Sequence, residues 1–286
     1  RELRGLETEM VRAGVSPHAP YTVSAPQLGM ISRLAIEEKL PLMMHAAESK
    51  AEQLFLAEGR GPFADGLKQR SIPWKAPGVS TIRYLDDCGV LAARPLLAHC
   101  INVDEGDLQL IKAAGAGIAH CPKSNAKLRH GHAPFTKFIQ SGISVGLGSD
   151  SMASNNCCDI LEEARFATLM GRVDSDGRES ETEVCATTAL FAATLGGARA
   201  LGVDHQVGAL AAGMQADITV VGLGGAHQQP LSNPVDALIF SSSGRDVLLT
   251  MVSGKEIYRN QRISSVAETE IRELAANIRN KLDGLA

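Results

Sequence analysis

A recurring pattern constrains this chain more than any other feature. Four apolar, strand-like runs each finish on a polar side chain: LPLMMHAAES near His45, ARPLLAHC at His99, AGAGIAHCPKSN at His120 and SVGLGSDS at Asp150. The intervals between them can each hold one or more helices. A buried parallel strand reads as a continuous apolar run, and its crossover needs about a dozen residues or more. Repeated strand–helix units of this kind predict an α/β fold with half of a (β/α)8 TIM-like barrel. In that architecture the active site lies at the C-terminal ends of the strands. Imidazoles and a carboxylate gathered there suit a zinc-type hydrolytic centre.

The residues between the strands support this alternation. Residues 1–13 read as the end of a helix closed by Gly14. VSPHAPYTVS (15–24) reads as a short strand and a structured loop. Ser24 and Pro26 then open a helix over 26–39, with Leu28, Ile31, Leu34 and Ala35 at helical spacing. Strands are predicted at 40–45, 95–99, 116–120 and 143–149. Helices are predicted at 104–114, 135–141, 156–170 and 181–201. Residues 49–88 form a helix–loop–helix excursion, and 121–134 read as a polar loop. From about 206 the pattern becomes short, β-rich and punctuated by glycine, as in a small β-sandwich portion. ETEIRELAANIRNKLDGLA closes the chain as a charged amphipathic helix. The division is therefore 1–205 barrel, 206–263 part of a β-sandwich and 264–286 terminal helix.

Composition excludes several classes of partner. The chain has 286 residues and a net charge of −4, without a basic block to bind nucleic acid or a membrane surface. No window reaches the ~18 uninterrupted apolar residues of a membrane span, and no signal peptide is visible. The six cysteines form no CxxC pair. They read as buried free thiols in a reducing cytoplasmic setting.

Several side chains admit both a chemical and a structural reading. His45 and Glu48 are three apart, so on an ideal strand they face opposite sides. They share a site only if the chain bends just beyond the strand. His45 is otherwise a core histidine and Glu48 a solvated carboxylate. Asp150 suits a ligand or general base, or the N-cap of a following helix. His99 could orient a hydroxide, and His18 could contact substrate. His120 and Asn125 could bind a heterocycle or hold their loop together. His130-Gly131-His132 has the spacing of paired metal ligands, but no strand leads into it. A loop lining the substrate is the better reading.

Taken in order, VSPHAPYTVS, HAAES, LAHC, HCPKSNAKLRHG, GLGSDS and VGALAAGMQADITVV resemble the amidohydrolase superfamily. The nearest branch contains S-adenosylhomocysteine and methylthioadenosine deaminases, guanine deaminase and triazine chlorohydrolases. The resemblance spans nearly the whole chain. It implies that His45 and Asp150 ligate one divalent metal ion, zinc by default, with iron serving some relatives. It implies Glu48, His99 and Asp150 as catalytic residues, and His18, Glu48 and Asn125 as substrate-binding. The implied reaction is hydrolytic deamination of a small heterocyclic substrate such as a purine, pterin or purine nucleoside. A triazine-type dechlorination or amide hydrolysis on the same fold is one alternative, and a non-catalytic barrel relative is another. Relatives are often homodimers. The family takes two further ligands from an HxH on its first barrel strand, and that motif is absent here. The chain also begins at Arg1. It is therefore expected to be the C-terminal portion of a longer protein, or to receive its first strands from a separate chain. Alone, it should bind metal weakly and be inactive.

Overall fold

A computed structural model describes residues 3–8, 10–173 and 184–284. The expected helix over 1–13 is reduced to a 3-10 turn at Leu3–Leu6, and residues 1, 2 and 9 lie outside the described residues. Its apolar side chains Leu6, Met10 and Val11 are exposed. A helix this short needs a buried face to persist in water, and this segment has none. The expected strand at 15–24 is a single parallel bridge, Val15 to Leu42. Pro17 and Pro20 remove ladder donors there.

Helix α1 spans Ala25–Glu37, and strand β1 spans Met43–Ala46. The following excursion forms α2 (Lys50–Glu58), α3 (Pro62–Gln69) and α4 (Thr81–Asp87). Next come β2 (Leu96–His99), α5 (Glu105–Ala114) and β3 (Gly117–His120). The segment read as a polar loop contains helix α6, Pro122–Lys127. Beyond Pro122 in its first turn its buried side chains, Ser124 and Asn125, are polar, so no apolar periodicity announced it. Helix α7 (Phe135–Gln140) and β4 (Ser144–Leu147) complete the sheet. The helix expected at 156–170 is α9, Ile160–Val173, preceded by a short α8, Met152–Asn155. The Asp159 carboxylate accepts the N–H groups of Leu161 and Glu162 and so sets the start of α9. Of the helix expected at 181–201, residues 181–183 lie outside the described residues. The remainder is α10 (Ala186–Phe191), a π-helical turn (Ala192–Gly196) and α11 (Gly197–Ala200).

Strands β1 to β4 form a parallel sheet in sequence order. Register places Met44, Leu97, Ile118 and Val145 side by side on one face. All four are buried and join Leu28, Phe55, Leu85, Leu108, Ile111 and Phe138 from the helices in the main core. The other face carries His45, Ala98, Ala119 and Gly146 in register. Burial of an apolar face against helices is the main stabilising term, at roughly 25 cal/mol per Å². Later in the chain, β5 (Ile218–Val221), β6 (Val247–Val252), β7 (Lys255–Arg259) and β8 (Arg262–Ile263) form an antiparallel sheet in that order. Between β5 and β6 lies a short helix α12, Pro234–Asp236, and α13 (Glu268–Asp283) follows the sheet.

Glycines on both sides, Gly117 and Gly146 in the strands and Gly196 opposite them, let the backbone of 192–200 approach the parallel sheet. A Cβ at Gly146 would lie 2.8 Å from Gly197 Cα, and one at Gly196 would lie 2.7 Å from the Val145 carbonyl oxygen. Gly146→Ala is therefore expected to destabilise the chain by about 1–3 kcal/mol, through overpacking against backbone that cannot rotate away. Gly66→Ala, within α3 and with open space around it, should leave stability unchanged or raise it. Urea denaturation of both variants checks the contrast. Equal midpoints would refute the close approach.

Candidate metal centre

The C-terminal ends of the parallel strands deliver the polar residues. After β1, Ala47 takes a left-handed conformation, φ 53°. That is the bend that His45 and Glu48 need to reach one site. The buried Glu52 holds it, because its carboxylate accepts the N–H of Ala47 at 2.9 Å and of Glu48 at 3.0 Å. Burial pushes the Glu52 carboxyl up, against the pull of those hydrogen bonds. At the end of β2, His99 and Cys100 have φ 74° and 48°, and beyond β4 Asp150 has φ 56°. Positive φ is uncommon outside glycine. Here it re-aims side chains that a regular strand would send elsewhere.

The result is a cluster in which ligand atoms of His45, His99 and Asp150 all lie within 4.8 Å of one another. Each is held from behind. His45 Nδ1 donates to the His18 carbonyl oxygen at 3.0 Å, and the His45 backbone N–H reaches the same oxygen at 3.0 Å. A carbonyl can only accept, so Nδ1 carries a proton and Nε2 is the nitrogen left for the cluster. His99 Nδ1 donates to Asn125 Oδ1 at 2.8 Å. Its Nε2 is buried with no hydrogen-bond partner. Asp150 Oδ2 accepts from Ser124 Oγ at 2.6 Å and Ser154 Oγ at 2.7 Å. Burial raises the Asp150 carboxyl, but those hydroxyls, the Ser151 N–H and His99 outweigh it and hold it below the usual carboxylate range. Burial is also the main reason His99 resists protonation. Two imidazole nitrogens and a carboxylate, each oriented by a second hydrogen bond, are the donor set a divalent metal takes. The orphaned Nε2 of His99 fits that use, since a buried acceptor without a partner is costly.

Glu48 lies beside this cluster. Its Oε1 is 3.7 Å from His99 Nε2 and 3.7 Å from His130 Nε2. His130 thus faces the site across Glu48, and neither histidine of the HxH belongs to the cluster among the described residues. His18 is exposed, with its ring 5.2 Å from that of His45 and its Nδ1 2.9 Å from Thr22 Oγ1. Asn125 is buried behind His99, engaged through its oxygen. His120 stacks on Phe135 at 5.0 Å, and burial, then His99 and His132, drive its pKa down to about 3. It remains a neutral, buried ring.

Several contributing residues carried no usable signal in the sequence. Ser124 and Ser154 are ordinary hydroxyls until folding sets both on Asp150. Glu163, fully buried, accepts from Asn155 Nδ2 at 2.6 Å and from the Lys123 N–H at 3.2 Å. Asn155 in turn donates to the Ser149 carbonyl at 2.6 Å, so one carboxylate fastens α6 and the loop carrying Asp150. Tyr21 stacks on Phe63 of α3 at 4.1 Å, which brings the 49–88 excursion next to the site. Burial, followed by the charges of Glu48 and Glu52, pushes the Tyr21 hydroxyl up to about 12. A second group, Cys157, Asp159 and Glu162, is also compact. Its Asp159 is committed to backbone N–H groups and its Glu162 to Lys123.

The chain belongs to the amidohydrolase family, whose model matches residues 1–257. The fold is accordingly of the TIM-barrel-like α/β type. A 5-methylthioadenosine/S-adenosylhomocysteine deaminase of Pelotomaculum thermopropionicum is 35% identical over 271 residues, covering 95% of this chain and 58% of that protein. A 5'-deoxyadenosine deaminase of Methanothermobacter thermautotrophicus is 30% identical over 284 residues, covering 99% of this chain and 61% of that protein. The crystal structure of a zinc-bound adenosine deaminase from Xanthomonas campestris superposes with a TM-score of 0.87 at 27% identity. That match covers 99% of this chain and 60% of the other. The chain thus spans about three fifths of the length of these relatives. No helix among the described residues is long and apolar enough to cross a membrane.

Proposed function

We propose that this chain carries the catalytic half of a metal-dependent aminohydrolase that releases ammonia from a purine-like ring, most simply an adenosine-type nucleoside. The observation that carries the reading is the mutual approach of His45, His99 and Asp150 within 4.8 Å, with Glu48 alongside. Relatives named as deaminases of adenosine-type compounds support it. In this reading His45, His99 and Asp150 hold one divalent cation, taken as zinc on the precedent of the zinc-bound relative, although two nitrogens and one oxygen suit iron(II) as well. Such a cation, when bound, supplies Lewis acidity that brings water toward a pKa of ~7. Asp150 accepts the proton of the attacking water. His99, fixed by Asn125 through Nδ1, offers its Nε2 to the same cation. Glu48 delivers a proton to the ring nitrogen next to the attacked carbon, which can then become tetrahedral. The exocyclic amino group takes a proton and departs as ammonia. His18, exposed at the rim, contacts the substrate.

The four parallel strands act as four of the barrel's eight, the others being supplied by polypeptide outside this sequence. Residues 1–205 form the barrel portion, 206–263 part of a small β domain, and 264–286 a terminal helix. Free cysteines among the described residues favour a reducing compartment such as the cytoplasm. The test is an ammonia-release assay with zinc or iron(II) and a panel of 5'-methylthioadenosine, S-adenosylhomocysteine, 5'-deoxyadenosine, guanine and a pterin. It is run on the chain alone and on the chain with its upstream coding sequence. Ammonia from an adenosine-type member is the expected result. Turnover confined to a chlorinated triazine would replace this reading.

A further inference from the structure

Taking His45, His99 and Asp150 as the metal ligands, a reading on which this inference rests, we propose that Glu163 is a positioning residue that locks the supports of two of them together. Glu163 lies on α9 and is fully buried. Its Oε2 accepts the Lys123 N–H at 3.2 Å, and its Oε1 accepts from Asn155 Nδ2 at 2.6 Å. The first bond caps α6, where Cys121 in the N-cap position supplies no side-chain bond of its own. The next two residues of α6 are Ser124, which donates to Asp150, and Asn125, which accepts from His99. The second bond holds α8, where Ser154, the residue before Asn155, donates to the same Asp150 oxygen. Asn155 also donates to the carbonyl of Ser149, the residue before Asp150. Both serine hydroxyls on Asp150 and the amide behind His99 therefore sit within two residues of a group that Glu163 holds. His45, supported by the His18 carbonyl, lies outside this linkage.

The linkage requires a carboxylate. Both partners are N–H donors, and a carboxylate presents an acceptor oxygen to each. The amide of glutamine presents one acceptor and one donor group. At least one bond is then lost, and a buried N–H is left facing another. Turning Asn155 over to present its oxygen repairs nothing, because its Nδ2 also holds the Ser149 carbonyl. Since glutamine keeps the volume of glutamate, Glu163→Gln tests the linkage and not a cavity.

Zinc affinity, measured by chelator competition in the chain with its upstream coding sequence, provides the test. Glu163→Gln should weaken zinc binding at least about tenfold, the cost of losing an outer partner of a metal ligand. It should also alter the visible absorption of the cobalt(II)-loaded protein. Asn155→Ala cuts the link from the α8 side and should weaken zinc to a similar degree, so the question is answered even where Glu163→Gln does not fold. Two controls should stay within about threefold of the parent. Glu162→Gln removes the same charge one residue away, from a partly exposed pair with Lys123. Ser32→Ala removes a buried hydrogen bond between α1 and the Gly89 carbonyl, which lowers stability without touching any support of the cluster. Unweakened zinc binding in folded Glu163→Gln or Asn155→Ala, or an equal loss in either control, would overturn the proposal. A parent chain that binds no zinc would refute the metal reading instead, and hydrogen exchange then decides the role of Glu163. In Glu163→Gln the amides of Asn125 and Leu128 in α6, or that of Asn155 in α8, should exchange about tenfold faster, with those of β1 unchanged. Parent-like exchange in both helices would overturn the proposal.

Discussion

Glu48→Gln should lower the rate of ammonia release by about 10²–10⁴-fold, the range of a positioned acid–base group. Metal content should not change, because Glu48 lies outside the ligand cluster. The expectation rests on placement. The carboxylate is mostly buried, its Oε1 sits 3.7 Å from His99 Nε2, and the left-handed Ala47 with buried Glu52 fixes the turn that brings it there. Gln keeps the shape but cannot give up a proton as a carboxylic acid does. Parallel assays of kcat and bound metal separate the two roles. A rate within threefold of the parent would remove Glu48 from proton transfer, and coupled loss of metal would show a ligand instead.

The second large effect concerns the cluster itself. In the chain with its upstream coding sequence, His45→Ala should reduce retained zinc to below about one-tenth of the parent level after gel filtration, measured by elemental analysis. Loss of even an outer-shell partner commonly costs 10–100-fold in metal affinity, and a direct ligand should cost at least as much. Folding should survive, since His45 is only half-buried and lies on the face opposite the main core. Unchanged zinc in a folded variant would refute the assignment. His18→Ala gives the contrast: its backbone carbonyl still accepts from His45 Nδ1, so metal should stay.

Much of this arrangement was legible in the sequence. Apolar runs ending at His45, His99 and His120 marked the strands, because buried parallel strands need no alternation. His45 and Asp150, far apart along the chain, stand together because the sheet runs in sequence order and each residue leaves its strand at the same end. The rest depended on backbone turns that residue types do not announce. His99 was expected to orient a hydroxide; with φ 74° at this residue, one of its ring nitrogens lies within 4.8 Å of ligand atoms of His45 and Asp150. Asn125 was expected against substrate, yet α6 carries it behind His99, and that helix was hidden because its buried face is polar. Conversely, residues 1–13 read as a helix end, yet only Leu3–Leu6 form a 3-10 turn, and Leu6, Met10 and Val11 are exposed among the described residues.

The members of the cluster answer to three stretches of polypeptide, one of which, α6, supports two of them. His45 leans on the carbonyl of residue 18, His99 on an amide in α6, and Asp150 on hydroxyls from α6 and α8. Opening near residue 18 would loosen His45 alone, whereas opening of α6 would loosen His99 and Asp150 together. A cation gripped there would therefore couple otherwise independent breathing motions, and its residence time would report on the least stable of the three supports.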